Sequence, residues 1–272
     1  MSNGALDPLY KDLKTALWVE DQLTRDYLTA VGDGNPAIRL LIAGSSAHVD
    51  ALVASARKEK FPFVFGLSDR DFGATNYGKW SASTQVFRLQ MHEIENALLD
   101  PAAISSAMAG LGKHLDAAAV RKKLEAEAKT FTWGMALGAT MAWVRTSIDQ
   151  DFPSSSGLVN VADQASALDR IVLSPWWQTH LPALPTTLTK ATLSKTLAST
   201  HATYQSHLAS DQFLSTFAGK ELLGRVFSWL AQGGKGPTPT LYDLAKAIGN
   251  AQRLAGSVPA QVADLLNILK GI

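Results

Sequence analysis

Residues 15–44 read TALWVEDQLTRDYLTAVGDGNPAIRLLIAG, and this stretch decides the fold class. Its first apolar run, TALWVE, predicts a strand over residues 15–20. Apolar side chains then recur at helical spacing over 21–31, which predicts a helix. The turn-forming sequence GDGNP follows, and a second apolar run, IRLLIA, predicts another strand at 38–43. We therefore expect a strand, a helix and a strand in succession.

The same alternation continues through the first hundred residues. A helical spacing covers 47–60, and two further strand patterns cover 61–67 and 84–89. Alternating strands and helices are typical of a mostly parallel sheet with helices on both faces. Because crossovers in such sheets are right-handed, the loops after the strands lie along one edge, where ligand sites form. We predict an α/β domain at residues 1–100.

Residues 101–272 have a different pattern, which predicts a mostly helical region. The pair Asp100-Pro101 is a typical helix start, and alanine-rich helical patterns follow it. Pro153 and a serine-rich stretch predict a loop over 152–168. Helical patterns resume at about Leu188 and are interrupted by GGKGP at 233–237.

The composition is that of a folded, soluble, cytoplasmic protein. Hydrophobic residues make up 46% of the chain and charged residues 18%, a balance that supports a packed core. The chain has no cysteine, which excludes disulfides, thiolate zinc sites and cysteine nucleophiles. The first residues show no signal-peptide pattern. An uncharged run of 15 residues between Lys129 and Arg145 is too short to cross a bilayer and predicts a buried helix.

The net charge of +1 indicates no partner by itself, but the two parts of the chain differ. Residues 1–100 contain 10 Lys/Arg and 13 Asp/Glu, whereas residues 101–272 contain 15 and 11. The acidic part suits a carboxylate metal site, and the basic part could contact a phosphate backbone. Ordinary compositional scatter is the alternative explanation.

Three acidic residues fall where a parallel sheet would bring them together. Glu20 ends the first predicted strand, and Asp69 and Asp71 follow the third. If residues 69–71 are extended, the two aspartates point the same way. Converging carboxylates repel each other unless a cation neutralises them, and Mg²⁺ prefers oxygen ligands. We predict a Mg²⁺ (or Mn²⁺) site for phosphoryl transfer, with Glu20 either a ligand or a general acid–base. The alternative is turn-forming aspartates and a surface glutamate.

The order of these residues resembles the Toprim (topoisomerase–primase) fold, in which an acidic residue ends the first strand and Asp-x-Asp follows the third. More narrowly, GLSDRDF at 66–72, HEIENALL at 92–99 and FAGKELL at 217–223 resemble blocks of a bacterial Toprim-like nuclease family. That family is related to the overcoming-lysogenisation-defect proteins and includes the Toprim effector of the PARIS anti-phage system. The resemblance implies metal-dependent cleavage of RNA (including tRNA) or DNA, centred on Glu20, Asp69 and Asp71. It further implies anti-phage defence, a separate ATPase subunit and a homodimer. The lack of a run long enough to span a bilayer predicts no membrane partner.

The same blocks contain further candidate residues. Glu95 is a candidate metal ligand or a group supporting the ligands, although helix capping by Glu95 and Asn96 is an equal alternative. Lys220 could contact phosphate or cap a helix end, and Arg70 lies between the two aspartates, so both are predicted nucleic-acid contacts. Asp21 stands where the family has glycine, and it either adds a carboxylate or weakens catalysis.

Two other functions remain open. One is a catalytically degenerate Toprim module that acts in assembly, and the other is a nucleotide-sugar transferase that holds its metal with Asp-x-Asp. The sequence around Lys220 and Lys235 lacks P-loop spacing, so an ATPase would be a separate chain. His92-Glu93 is not a zinc-protease motif, because that motif needs a second histidine where Asn96 stands.

Overall fold

The computed structural model describes residues 7–10, 13–148, 160–232 and 239–272. Four parallel strands form one sheet in the spatial order β2-β1-β3-β4. The strands are β1 Thr15–Val19, β2 Ile38–Ile42, β3 Val64–Ser68 and β4 Val86–Arg88. The predicted α/β class, with a parallel sheet and a helical region after it, is therefore confirmed.

Helices flank the sheet and make up most of the rest of the chain. In the described residues the α-helices are α1 Asp7–Tyr10, α2 Gln22–Val31, α3 Ser46–Lys58, α4 Pro101–Gly110, α5 Ala117–Lys129, α6 Thr132–Ile148, α7 Gln164–Val172, α8 Pro175–His180, α9 Lys190–Ala209, α10 Phe213–Thr216, α11 Gly219–Ala231, α12 Leu241–Ala255 and α13 Ala260–Lys270. Short 3₁₀ helices cover Tyr77–Lys79, Ile94–Leu99 and Leu181–Ala183.

The two central strands, β1 and β3, are buried along their whole length. In β1, Leu17 and Val19 belong to one core cluster and Trp18 to another, so both faces of the sheet are covered. Two-sided burial explains why these strands appear in the sequence as continuous apolar runs. Helix α3 packs so closely on β3 that a Cβ atom at Gly66 would lie 2.4 Å from Val49 Cγ1. A glycine is needed there because a side chain would displace the helix.

Aspartates begin two of the helices that lead into or out of the sheet. The Asp21 carboxylate accepts a hydrogen bond from Thr24 N at 2.9 Å and starts α2. The Asp100 carboxylate accepts one from Ala102 N at 2.9 Å and starts α4. The helix start predicted from Asp100-Pro101 is therefore confirmed.

The helical region shares its core with the sheet. The largest core cluster joins strand residues such as Leu17 to C-terminal residues such as Leu265. Two buried hydrogen bonds also join the parts: Tyr27 Oη donates to Gln252 Oε1, and Gln252 Nε2 donates to the carbonyl of Ala97, both at 2.7 Å. These bonds tie α2 to α12 and to the segment before α4. The predicted boundary at residue 100, between an α/β domain and a helical region, remains a prediction, because a shared core neither requires nor excludes two domains.

Three boundaries differ from the prediction, and one of them is that of the fourth strand, which covers Val86–Arg88 and not 84–89. The third strand begins at Val64, because residues 61–63 form a turn that leads into it. The predicted loop over 152–168 is wrong from Gln164 onward, where α7 begins. Its start signal is the Asp163 carboxylate, which accepts from Ser166 N at 2.7 Å. The rest of that loop before residue 160, and the predicted break at 233–237, lie outside the described residues.

The uncharged run before Arg145 forms α6, a largely buried helix, as predicted. Across the described ranges, no helix combines the length and the apolar character that crossing a membrane requires.

Candidate metal centre

The candidate site lies at the carboxyl ends of β1 and β3. These strands pair in parallel, with Trp18 beside Gly66, so the residues that follow them emerge side by side. Glu20 directly follows β1 and Asp69 directly follows β3. The Asp69 N–H donates to Glu20 Oε1 at 3.1 Å. The structure therefore brings together two of the three acidic residues on which the predicted site depends.

Asp71 reaches the same site by a different path from the one predicted. The extended conformation expected for residues 69–71 is wrong, because Asp71 has a φ of 48°. The backbone N–H groups of Arg70 and Asp71 both donate to the carbonyl of His92, at 3.1 and 2.8 Å, and this closes a turn. The exposed Asp71 carboxylate still lies close enough to Glu20 to raise the pKa of that residue.

The 3₁₀ helix Ile94–Leu99 and the residue before it add two more carboxylates. Asp69 Oδ1 accepts from Ile94 N at 2.9 Å, which holds the start of this helix against the turn after β3. The charges of Glu93 and Glu95 both raise the pKa of Asp69. Glu95 is only 1% exposed. Neither of its carboxylate oxygens accepts a hydrogen bond from the part of the chain that the structure describes.

Asn96 has a structural role. Its side-chain oxygen accepts from Glu93 N at 2.8 Å, which caps the 3₁₀ helix. Its side-chain nitrogen donates to the carbonyls of Leu214 and Phe217, both at 2.9 Å. The capping interpretation is confirmed for Asn96. Glu95 makes no capping hydrogen bond with any described residue, and its buried carboxylate lies beside the Lys220 ammonium group instead.

Lys220 comes into the site from the first turn of α11. Its Nζ lies 3.1 Å from Asp21 Oδ2 and 3.4 Å from Glu95 Oε1. Its backbone N–H donates to Glu93 Oε2 at 2.7 Å. The helix can approach this closely because residue 219 is glycine: a Cβ atom there would lie 2.6 Å from Asn96 N.

Burial and mutual repulsion raise the pKa values of the carboxyl groups in the site. Burial raises the pKa of Asp69 well above its usual value, and the charges of Glu95, Glu20 and Glu93 add to this rise. Burial also raises the pKa of Glu20, although the Asp69 N–H opposes it. Burial and the charge of Glu95 raise the pKa of Glu93 to about 7. With a pKa near 7, Glu93 is partly protonated at neutral pH unless a cation balances its charge.

Lys220 supplies part of that balance. Burial raises the pKa of Glu95, and Lys220 opposes the rise without cancelling it. Burial lowers the pKa of Lys220, but the charges of Glu95 and Asp21 outweigh that effect and raise it overall. The Asp21 carboxyl has a lowered pKa, because hydrogen bonds from Thr24 and the charge of Lys220 outweigh its burial. Lys220 is therefore an ammonium group at neutral pH.

Glu20, Asp69, Asp71 and Glu95 all offer carboxylate oxygens, the donor type that a hard divalent cation takes. Mg²⁺ takes oxygen ligands in this way and keeps waters that substrate phosphate can replace. Asp21 is part of the same cluster, through Lys220. Among the described residues, however, the group of ligand atoms that lie within 4.8 Å of one another comes from Asp71, His92 and Glu93.

Arg70 interacts electrostatically with residues of α9. Burial lowers the pKa of its half-buried guanidinium group. Its positive charge lowers the pKa of His92 and of His207, and it opposes the rise in the pKa of Tyr204. Tyr204 and His207 both belong to α9. The predicted contact between Arg70 and nucleic acid remains a prediction.

Glu93 is the residue that sequence reasoning missed. The block HEIENALL contains two glutamates two residues apart, and this spacing after a fourth strand was the available signal.

The chain matches no model of a known protein family. A comparison with curated protein sequences gives no match either.

Proposed function

We propose that this protein is a metal-dependent nuclease that hydrolyses phosphodiester bonds in RNA or DNA, and that it acts in the cytoplasm. The observation that carries the proposal is the contact between Asp69 N and Glu20 Oε1 at 3.1 Å, which joins the ends of two parallel strands. The charges of Asp71 and Lys220 act on the Glu20 carboxyl group, and those of Glu93 and Glu95 act on that of Asp69. This support comes from the chemistry of the donor set and not from relatives.

Each residue has a role that follows from its position. Asp69, Asp71 and Glu95 would hold the cation, and Glu20 would either join them or take a proton from the attacking water, a role that suits its raised pKa. When bound, Mg²⁺ supplies polarisation of a phosphoryl oxygen and activation of water. Lys220 has a side chain that is 62% exposed, so its ammonium group can meet a phosphate at the rim of the site.

The resemblance to Toprim-like nucleases extends the proposal to the protein's setting. In that setting the chain is an anti-phage effector, self-associated as a homodimer and regulated by a separate ATPase subunit. Co-purification from the native host, followed by an ATPase assay of the co-purified material, tests for that partner. Recovery of the chain with no ATPase would count against this part of the proposal alone.

A cleavage assay tests the activity itself. We expect supercoiled plasmid DNA or total RNA to be cut in the presence of Mg²⁺ or Mn²⁺, and not in excess EDTA. Glu20→Gln and Asp69→Asn should each lower the rate by about 100-fold or more, since each removes a carboxylate from the reacting centre. The matched control is Asp116→Asn: this exposed residue precedes α5 and makes no capping hydrogen bond. Equal cleavage by the control, the wild type and both site variants would contradict the proposal.

A second candidate function also has a specific observation behind it. Lys220 already pairs with Asp21 and Glu95, so an internal ammonium group balances part of the charge that a metal would balance. That arrangement suits a degenerate module used in assembly. No metal-dependent cleavage and no divalent-cation binding by the wild-type chain would favour it over the nuclease. The structure gives less support to the nucleotide-sugar transferase, because that function assigns no role to Glu20.

A further inference from the structure

A second group of metal-ligand atoms lies beside the carboxylates of the proposed nuclease site. One ligand atom each from Asp71, His92 and Glu93 lie within 4.8 Å of one another. His92 supplies an imidazole nitrogen, a donor type that the Glu20–Asp69 site lacks. This group is thus a mixed nitrogen–oxygen set, whereas the neighbouring site has oxygen donors only.

The imidazole of His92 is an independent indication of a ligand. The residue is 2% exposed, and its Nδ1 atom is buried without a hydrogen-bond partner among the described residues. Buried side-chain nitrogens almost always have a partner, so one without a partner calls for an explanation. A cation bound by the ring would supply it.

An aromatic neighbour orients the ring of His92. Phe72 meets it edge to face, with ring centroids 4.7 Å apart, and so fixes its orientation.

The two carboxylates are also arranged for binding. Glu93 is positioned by its Oε2 atom, which accepts from Lys220 N at 2.7 Å. Asp71 is exposed, so a cation and its waters can reach the group from solvent. Its left-handed backbone, with a φ of 48°, lies in the turn that the His92 carbonyl closes. Three protein ligands with open positions are the arrangement of a reactive metal site rather than of a closed structural one.

We propose that Asp71, His92 and Glu93 form a second cation site, which selects a first-row transition-metal ion such as Zn²⁺ over Mg²⁺. Imidazole ligands favour Zn²⁺, whereas Mg²⁺ prefers oxygen donors. The inference does not rest on nuclease activity, because the three side chains can bind a metal whatever the protein's reaction. It shares only Asp71 with the proposed nuclease site.

Calorimetry tests the selectivity. The full chain is titrated with Zn²⁺ in saturating Mg²⁺, which fills the all-oxygen site. We expect one Zn²⁺ site, and an affinity about 10- to 100-fold lower in His92→Gln. His114→Gln is the matched control because His114 is exposed, and it should bind like the wild type. Glu20→Gln should keep the Zn²⁺ site even if it abolishes cleavage, so failure of the nuclease proposal and failure of this inference are distinguishable.

Pulsed electron paramagnetic resonance gives a readout that does not need the buried histidine to be replaced. Mn²⁺ bound to the wild-type chain in excess Mg²⁺ should show coupling to a directly bonded ¹⁴N nucleus. Absence of that coupling would overturn the proposal, even if His92→Gln fails to fold. A coupling that persists in folded His92→Gln, or an unchanged Zn²⁺ affinity in that variant, would overturn it as well.

Discussion

At the scale of single residues, the site is a group of carboxyl groups whose charge the protein balances only in part. Lys220 brings one ammonium group to Asp21 and Glu95. Asp69, further inside, keeps a pKa well above its usual value because of burial and its acidic neighbours. Protons or a divalent cation would supply the remaining positive charge.

This imbalance predicts how stability depends on pH. The pKa of Glu93 is about 7 in the folded protein and 4.5 ordinarily, so the protonated form is favoured by folding. The resulting stabilisation is complete below about pH 4.5 and is lost as the pH rises through about 7. In EDTA, we expect the Tm to fall between about pH 5 and pH 8, and saturating Mg²⁺ to reduce the fall. Thermal denaturation followed by circular dichroism at a series of pH values measures this.

Variants identify the group responsible. Glu93→Gln should flatten part of the fall in Tm, because a glutamine cannot lose a proton there. Asp116→Asn, at an exposed position, should leave the slope as in the wild type. A Tm that rises over the same pH range in the absence of metal would contradict a raised pKa for these carboxyl groups in the folded protein.

At the scale of elements, the site depends on how closely the start of α11 approaches the 3₁₀ helix Ile94–Leu99. Gly219 allows this approach, since a Cβ atom there would lie 2.6 Å from Asn96 N. We expect Gly219→Ala to destabilise the fold by about 1–3 kcal/mol, as overpacking does, and to weaken divalent-cation binding by moving Lys220 and Glu93. Urea denaturation and calorimetry measure the two effects.

Gly224, in the same helix, is a matched control. A Cβ atom there meets no atom within 4 Å. Gly224→Ala should be neutral or should stabilise by up to about 1 kcal/mol, because alanine is the better helix former. If the two variants behaved alike, the close approach at Gly219 would have no special role.

The elements also show how far the sequence could predict the site. Glu20 and Asp69 could be placed together because both follow apolar runs that form neighbouring parallel strands. Lys220 could be named as a candidate, but not placed among the carboxylates. It lies 127 residues from Glu93, and its position depends on Asn96 holding the carbonyls of Leu214 and Phe217. Tertiary contacts of that kind leave no periodic pattern in the sequence.

The conformation of the Asp69–Asp71 turn was unpredictable for a related reason. The sequence offers two aspartates at strand-like spacing, and an extended backbone is the simplest expectation. The turn instead follows from the carbonyl of His92, which accepts from both Arg70 N and Asp71 N. A partner some twenty residues away thus overrides the local preference, and it also brings His92 beside Asp71.

At the scale of the whole molecule, the sheet and the helical region share one core, and Gln252 joins them. It accepts from Tyr27 Oη and donates to the carbonyl of Ala97. We expect a single cooperative unfolding transition. Gln252→Met should lower the free energy of unfolding by about 1–3 kcal/mol for each buried group that it leaves without a hydrogen-bond partner. Urea denaturation measures both.

A double-mutant cycle checks that this cost comes from the hydrogen bonds. Tyr27→Phe together with Gln252→Met removes both ends of one bond, so the pair should cost less than the sum of the single changes. Strict additivity, or two separate transitions in the wild type, would contradict the account of a core shared through Gln252.

The central claim is that carboxylates from separate stretches of the chain meet at one divalent cation at the edge of the sheet. Anomalous scattering from crystals grown in Mn²⁺ tests it most directly. We predict an anomalous peak within coordinating distance of the Glu20 and Asp69 carboxylates, and its loss in Asp69→Asn. No peak between those two residues in well-ordered wild-type crystals at saturating Mn²⁺ would contradict the claim.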